Sequence, residues 1–173
     1  METLECIKTR RSIRKYKTDP VPEELLQKVL EAGTWAPTGM GKQAPTIVAI
    51  TNREQRDRLM KLNARIMGRD MDPFYGAPAV IVVLVDKAVP TYENDGELVM
   101  QNMMLAAHDL GLATCYIWRA KPEFEMDEGK AMLADWGIPE GDWEGVGHCA
   151  VGYIDGPAPE AAARKGGRVF WIE

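Results

Sequence analysis

Apolar residues recur at helical spacing in several stretches of the chain. One helix is predicted to begin with Pro22 in its first turn and to close at Gly33, because acids follow the proline and leucines then recur every three or four positions. Residues 53–67 alternate apolar and charged faces, which predicts an amphipathic surface helix. Further helices are predicted over residues 95–110 and 127–136. The first of these is apolar around most of its circumference, so it is expected to be central or to press against another subunit.

Strands are predicted where β-branched and apolar residues run without helical spacing. Residues 46–51, 114–118 and 146–153 have this character, and residues 79–85 are apolar at every position. The latter run therefore predicts a strand that is buried on both faces. Residues 168–172 are also apolar and β-prone, and a strand there needs a sheet edge to join.

These elements predict one domain over residues 1–173, with four or five strands layered with helices. A doubly wound dinucleotide fold is disfavoured because the glycines near residue 40 precede the first convincing strand. Neither a G-x-G-x-x-G fingerprint nor a P-loop motif occurs. The nearest approach, Gly39-x-Gly41, is more typical of a turn.

Composition narrows the class of protein further. The chain has 46% hydrophobic and 27% charged residues and a net charge of -5, so nonspecific nucleic-acid binding is disfavoured. No apolar run reaches the roughly 20 residues that span a bilayer, and residues 1–8 lack a signal-peptide core. The cysteines are odd in number and widely spaced, which favours neither a disulfide framework nor a zinc site. A cytoplasmic protein is therefore expected.

Two basic clusters stand out on this acidic chain. Residues 10–16 contain three arginines around Ser12, and residues 164–168 add Arg164, Lys165 and Arg168. Guanidinium groups bind phosphate in a bidentate manner, although clustered charge is usually solvated surface. The clusters predict an anionic ligand.

Five segments, in this order, together resemble the FMN-dependent nitroreductase family. They are RRSIRKY at 10–16, APTGMGKQ at 36–43, GAP at 76–78, NMMLAAHDLGL at 102–112 and VGY at 151–153. The resemblance covers nearly the whole chain.

The resemblance implies an α+β three-layer sandwich with a mixed, mainly antiparallel sheet. It also implies a homodimer that binds two FMN molecules at the subunit interface. In that arrangement the methionine-rich helix packs against its twin, or it is an ordinary core helix. The C-terminal strand is exchanged with the partner subunit, or it folds back on its own sheet.

Site residues follow from the same resemblance. Arg10 and Ser12 match positions that bind the phosphate, and Arg14 matches the cation at the pyrimidine edge, where it stabilises negative charge near N1 and O2. Arg11 either joins the phosphate site or pairs with a surface acid. The other matching positions are Arg164 and Lys165 at the phosphate, and Thr38, Gly39 and Gln43 in the loop that covers the flavin from the other subunit. Gln43 either hydrogen-bonds the ring or ribityl chain, or caps its own turn.

Two positions depart from the family pattern. Gly41 replaces a common asparagine, and residues 69–73 replace an asparagine and lysine that address the other edge of the ring. The group that contacts N3 and O4 of the flavin is therefore not assigned. Substrate choice is not carried over either, because larger family members shape that pocket with inserted helices.

The implied activity is hydride transfer from NADH or NADPH through FMN to a nitroaromatic, a quinone or a similar acceptor. No protein nucleophile is needed, and His108 and His148 are expected to be structural. Candidates for an aromatic acceptor pocket, with core packing as the alternative, are Trp35, Tyr75, Trp118 and Phe124. Two other functions stay open: related chemistry resembling flavin-destructase or dehalogenase enzymes, and non-catalytic FMN binding.

Overall fold

Six α-helices and four β-strands follow one another along residues 1–173, all of which the computed structural model describes. The helices are α1 (Thr3–Thr9), α2 (Glu23–Thr34), α3 (Arg53–Met67), α4 (Tyr92–Asp109), α5 (Ala120–Glu125) and α6 (Asp127–Asp135). The strands are β1 (Thr46–Ile50), β2 (Ala79–Asp86), β3 (Ala113–Ile117) and β4 (Trp143–Gly152). None of the helices is both long and apolar enough to cross a membrane.

The four strands form one sheet in the order β1-β2-β4-β3, and every neighbouring pair is antiparallel. The only parallel pairing is a single bridge between Ser12 and Thr114 at the β3 edge. The expected sandwich of helices around a mainly antiparallel sheet is thus confirmed, with four strands.

The sheet separates two hydrophobic cores. Strand β2 contributes Val80 and Val82 to the core shared with α3, α5 and α6, and Ile81 and Val83 to the core shared with α2 and α4. Seven of its eight residues are buried, which confirms the prediction of a strand buried on both faces.

Helix α4 is central within its own subunit. Its Met100, Met103 and Met104 are buried against α2 and the sheet, whereas Leu98 is 44% exposed. The methionines therefore fill the intrachain core, and packing of α4 against a twin would use its other side.

Helix α5 was not predicted from the sequence, and β4 begins at Trp143, three residues earlier than expected. No bounds were predicted for α1, and the remaining helices and strands up to residue 153 agree with the predictions to within about three residues.

The prediction of a strand over residues 168–172 is wrong for the single chain. These residues pair with no strand, and the side chains from Val169 to Ile172 are 74% to 94% exposed. A β-prone sequence forms a strand only where backbone partners are available, and the tail beyond residue 155 runs free of the sheet.

Candidate functional site

An extended segment between α1 and α2 carries the N-terminal basic cluster along the β3 edge of the sheet. The amide of Ile13 donates to the carbonyl of Thr114 at 2.9 Å, and the amide of Lys17 donates to the carbonyl of Tyr153 at 2.9 Å. Because Ile13 is buried in the core, its neighbours on the segment point outward. The backbone therefore fixes the cluster beside the end of β4.

A cavity of about 320 Å³ lies between this segment, α4 and β3. Its lining includes Arg10, Arg11 and His108, with apolar walls from residues such as Leu112 and Ile154. The Arg10 Nη1 and Arg11 Nε atoms are buried and have no hydrogen-bond partner. A buried N–H without an acceptor is destabilising, and both arginines line this cavity, so the charge on its wall suits an anion.

The surroundings of His108 at this cavity favour the neutral form of its imidazole. The Thr9 hydroxyl donates to the Glu5 carbonyl at 2.8 Å, so it accepts from His108 Nε2 at 2.9 Å. Burial, followed by the positive charges of Arg10 and Arg11, lowers the pKa of His108 below its ordinary value of 6.5. The positive charge on the cavity wall therefore comes from the guanidinium groups of Arg10 and Arg11.

A second cavity of about 280 Å³ adjoins the first, since Ile13 and Ile154 line both. Ser12 and Arg14 lie on its N-terminal side, and residues 155–159 lie opposite. Asp155 links the two sides of this cavity, because its carboxylate pairs with Lys15 Nζ at 2.6 Å. The two cavities are neighbours along the same segment, and the pair is called the groove along residues 10–15 below.

The loop between α2 and β1 holds the second group of predicted site residues. The Gly39 amide donates to Asp95 Oδ1 at 3.0 Å, and the Thr91 hydroxyl donates to Asp95 Oδ2 at 3.0 Å. The Gln43 amide donates to Thr38 Oγ1 at 3.0 Å. Asp95 is only 3% exposed, so a buried carboxylate of α4 anchors the loop.

This loop faces a small cavity of about 120 Å³ that Thr38 and Gln43 line. It does not adjoin the groove along residues 10–15 within the single chain, because the two share no lining residue. The two groups of predicted site residues are therefore separate in one subunit.

The C-terminal cations are also apart from the groove. Arg164 and Lys165 lie in the exposed tail and form no ion pair within the chain. Only the first part of the tail, including Ala158, reaches the groove.

The aromatic candidates have different environments. Phe124 is 2% exposed in the core, so it cannot line an acceptor pocket, whereas Trp35 and Trp118 are 80% and 65% exposed. Tyr75 is half-buried, and the Cζ atom of Arg14 lies 6.0 Å from the centre of its ring.

Sequence reasoning gave Asp95 no role, expected His108 to be structural and proposed Tyr75 only for an acceptor pocket. His108, Asp95 and Tyr75 each contact a predicted site residue or its immediate neighbour from a distant part of the chain. The one available signal was the acid in the first turn of α4, which is usual at a helix N-terminus and so does not single out Asp95.

Comparison with known proteins shows the family. The sequence model described as the nitroreductase family matches residues 7–153. A protein of Methanothermobacter thermautotrophicus, provisionally named NADH dehydrogenase/NAD(P)H nitroreductase, is 33% identical over 145 residues, which cover 81% of this chain and 71% of that protein. A protein of Archaeoglobus fulgidus with the same name is 31% identical over 144 residues, covering 80% and 78% of the two chains.

Solved structures share the fold. The crystal structure of a nitroreductase with bound FMN from Bacteroides fragilis is 30% identical, with a TM-score of 0.89 and full coverage of both chains. A nitroreductase with bound FMN from Desulfitobacterium hafniense is 24% identical with a TM-score of 0.79, also with full coverage of both chains, which shows the fold alone.

Proposed function

Because the chain belongs to the nitroreductase family, we propose that it is an FMN-dependent oxidoreductase that takes hydride from NADH or NADPH. The acceptor would be an electron-poor compound such as a nitroaromatic or a quinone. The observation that carries the proposal is the cavity beside β3, which is lined by two arginines, Arg10 and Arg11, each with a buried guanidinium nitrogen that lacks an acceptor. The free cysteines are consistent with a cytoplasmic protein.

The residues of the groove fit FMN. Arg10 and Arg11 both line the first cavity and bring positive charge to a phosphate, although Arg11 Nη1 already donates to the carbonyls of Lys8 and Arg10, each at 2.7 Å. Ser12 adds a hydroxyl in the adjoining cavity. Arg14, further along the same segment, is exposed and makes no ion pair. Its charge is available to stabilise negative charge at the pyrimidine edge of the ring.

Acceptance and donation of hydride is the chemistry that FMN supplies when bound. The chain's own residues would bind and orient the FMN and polarise its ring. Thr38, Gly39 and Gln43 would cover the ring from the partner subunit, because within one subunit their loop lies apart from the groove. Arg164 and Lys165 would complete the phosphate site from the exposed tail.

A homodimer is part of the proposal. Leu4 and Ile7 on α1, Leu98 on α4 and the tail residues 169–172 expose apolar side chains, which is unfavourable in water. Burying such surface contributes roughly 25 cal/mol per Å². We expect light scattering to give the mass of a dimer, and deletion of residues 168–173 to shift the equilibrium towards monomer. A monomeric parent protein would refute this part of the proposal.

The decisive experiment is a visible absorption spectrum of the purified protein after reconstitution with FMN, followed by identification of the flavin that heat denaturation releases. Steady-state oxidation of NADH and NADPH is then measured with and without a nitroaromatic. A protein that binds no FMN refutes the proposal. FMN that stays oxidised with both nucleotides would instead indicate a non-catalytic FMN-binding protein.

A matched pair of variants tests the phosphate site. Arg10→Gln should weaken FMN binding by about tenfold to a hundredfold, since a charge-assisted hydrogen bond contributes about 1.5 to 3 kcal/mol. Arg53→Gln removes the same charge from a side chain that is 94% exposed on α3, and it should leave FMN binding unchanged. Equal affinities for the two variants would exclude Arg10 from the site.

A further inference from the structure

Tyr75 has a backbone conformation that bulky residues rarely adopt. Its φ angle is +57°, in the left-handed region. Holding a non-glycine residue there is energetically unfavourable, so the surrounding structure must fix it. The other two non-glycine residues with positive φ are Met40 and Gln43. They lie in the loop after α2, which the family resemblance predicts to contact the flavin. Backbone strain is thus confined to the loop after α2 and the turn that contains Tyr75.

The turn around Tyr75 is fixed by Asp72. One carboxylate oxygen of Asp72 accepts from the Phe74 amide at 2.7 Å, and the other accepts from the Gly76 amide at 2.9 Å. The same carboxylate pairs with the guanidinium of Arg56. Phe74 is fully buried and Ala77 is 1% exposed, so the turn is tied to the core on both sides of Tyr75.

This rigid turn places the Tyr75 ring next to Arg14. The Cζ atom of Arg14 lies 6.0 Å from the ring centre, within the range of a cation–π contact. Arg14 forms no ion pair, although Lys15 beside it pairs with Asp155. The ring is therefore the group that restricts an otherwise free guanidinium.

We infer that Tyr75 is a positioning residue, whose ring holds the Arg14 guanidinium at the groove along residues 10–15. The inference rests on the proposed function, in which Arg14 faces the pyrimidine edge of FMN. It accounts for the strained turn, because a flexible residue at this position would leave Arg14 to sample many rotamers. The group responsible is the aromatic face and not the hydroxyl.

Three substitutions separate the ring, the hydroxyl and the backbone. Tyr75→Phe keeps the ring, Tyr75→Leu keeps apolar bulk without a π face, and Tyr75→Gly removes the side chain while relieving the strain of a positive φ. FMN affinity and the midpoint potential of bound FMN are measured for each variant, with the free energy of unfolding as a control for folding.

We expect Tyr75→Phe to match the parent protein within twofold. Tyr75→Leu and Tyr75→Gly should bind FMN about two- to fivefold more weakly, as the loss of a cation–π contact at an exposed site implies. A fivefold loss that falls on the reduced form alone lowers the two-electron potential by about 20 mV. In an Arg14→Gln background the substitutions at residue 75 should have no further effect.

The outcomes separate this inference from the proposed function. If the parent protein binds FMN and Tyr75→Gly binds it equally well at the same potential, the turn has only a structural role and the inference is wrong. A loss in Tyr75→Phe as large as in Tyr75→Leu assigns the effect to the hydroxyl and also overturns it. If the parent protein binds no FMN, the proposed function fails, and the inference fails with it.

Discussion

A buried pair of ionisable side chains joins α5 to the sheet, and we expect its two halves to contribute unequally to stability. Glu123 Oε2 and His148 Nε2 lie 2.6 Å apart, and both side chains are fully buried. Apart from this contact neither atom has a hydrogen-bond partner, and Glu123 Oε1 has none at all. His148 Nδ1 lies 3.2 Å from the Ile117 carbonyl, which can only accept, so Nδ1 carries a proton. Phe74 packs against the imidazole with ring centres 5.2 Å apart.

The magnitude follows from what remains after each substitution. In His148→Leu the carboxyl loses its partner and must be buried either charged or protonated. A glutamic acid in water has a pKa of about 4.3, and keeping such a group protonated at pH 7 costs about 3.7 kcal/mol. This agrees with the roughly 3 to 5 kcal/mol found when one partner of a buried ion pair is removed.

In Glu123→Leu the imidazole is left instead, and an imidazole is readily neutral. Keeping a histidine neutral at pH 7 costs only about 0.2 kcal/mol, so the main loss is one unsatisfied nitrogen, at about 1 to 3 kcal/mol. The double variant leaves neither a buried carboxyl at residue 123 nor an unsatisfied imidazole nitrogen at residue 148. We expect it to be less destabilised than the sum of the single variants by at least about 2 kcal/mol.

Urea unfolding, followed by far-ultraviolet circular dichroism at pH 7, measures the three free energies. Protein concentration is held constant, since the stability of the proposed dimer would depend on it. If His148→Leu does not fold, recovery of folding in the double variant still tests the argument. Additive losses, or a loss in Glu123→Leu as large as in His148→Leu, would refute it.

Three further predictions concern other sites. Burial raises the pKa of Cys149 to about 12 and raises the pKa of the other two thiols, so a disulfide reagent at about pH 8 should titrate no thiol until denaturation exposes all three: Cys6, Cys115 and Cys149. A Cβ on Gly39 would lie 2.1 Å from Thr91 Oγ1, so Gly39→Ala should lower unfolding free energy by about 1 to 3 kcal/mol, whereas Gly166→Ala, in open space, should not. The folded-state pKa of His108 is lowered, so the stability contributed by its neutral form is fully present above about pH 6.5 and is lost as pH falls. His108→Asn should therefore gain stability relative to the parent as pH falls from about 7.5 to 5.5. The absence of this trend would contradict the assignment.

The elements that could be predicted from the sequence are those whose own residues decide them. Strand β2 is apolar throughout, and helix α3 has an N-cap at Asn52, whose side chain accepts from the Gln55 amide at 3.1 Å. Such signals act within one or two turns, so they can be read without knowing the fold.

Helix α5 was not predictable because its neighbours decide it. It has six residues, including a proline, and it is held by close packing on β4. A Cβ on Gly145 would lie 2.7 Å from the backbone of Ala120, and one on Gly129 would lie 2.0 Å from the carbonyl of Glu123. These glycines permit the approach, but nothing in the sequence shows which segment they face.

The candidate site divides in the same way. The sequence places Arg10, Ser12 and Arg14 together because they are neighbours on one extended segment. The groups that fix their surroundings come from far along the chain, since Thr9 and His108 are 99 residues apart and Gly39 and Asp95 are 56 apart. Without a pattern that links such positions, single-sequence reasoning cannot pair them.

The position of the tail links assembly to cofactor binding. The outer side of β3 is already occupied at Thr114, whose carbonyl accepts from the Ile13 amide, so the apolar tail cannot pair with β3 at that position. In the proposed dimer, the tail that covers apolar surface on the partner also carries Arg164 and Lys165 to the phosphate. The tail then contributes both to dimer formation and to FMN binding. Linkage requires that FMN strengthen dimer formation by the same factor by which dimer formation strengthens FMN binding. Dilution of the holoprotein should therefore release FMN and dissociate the subunits together.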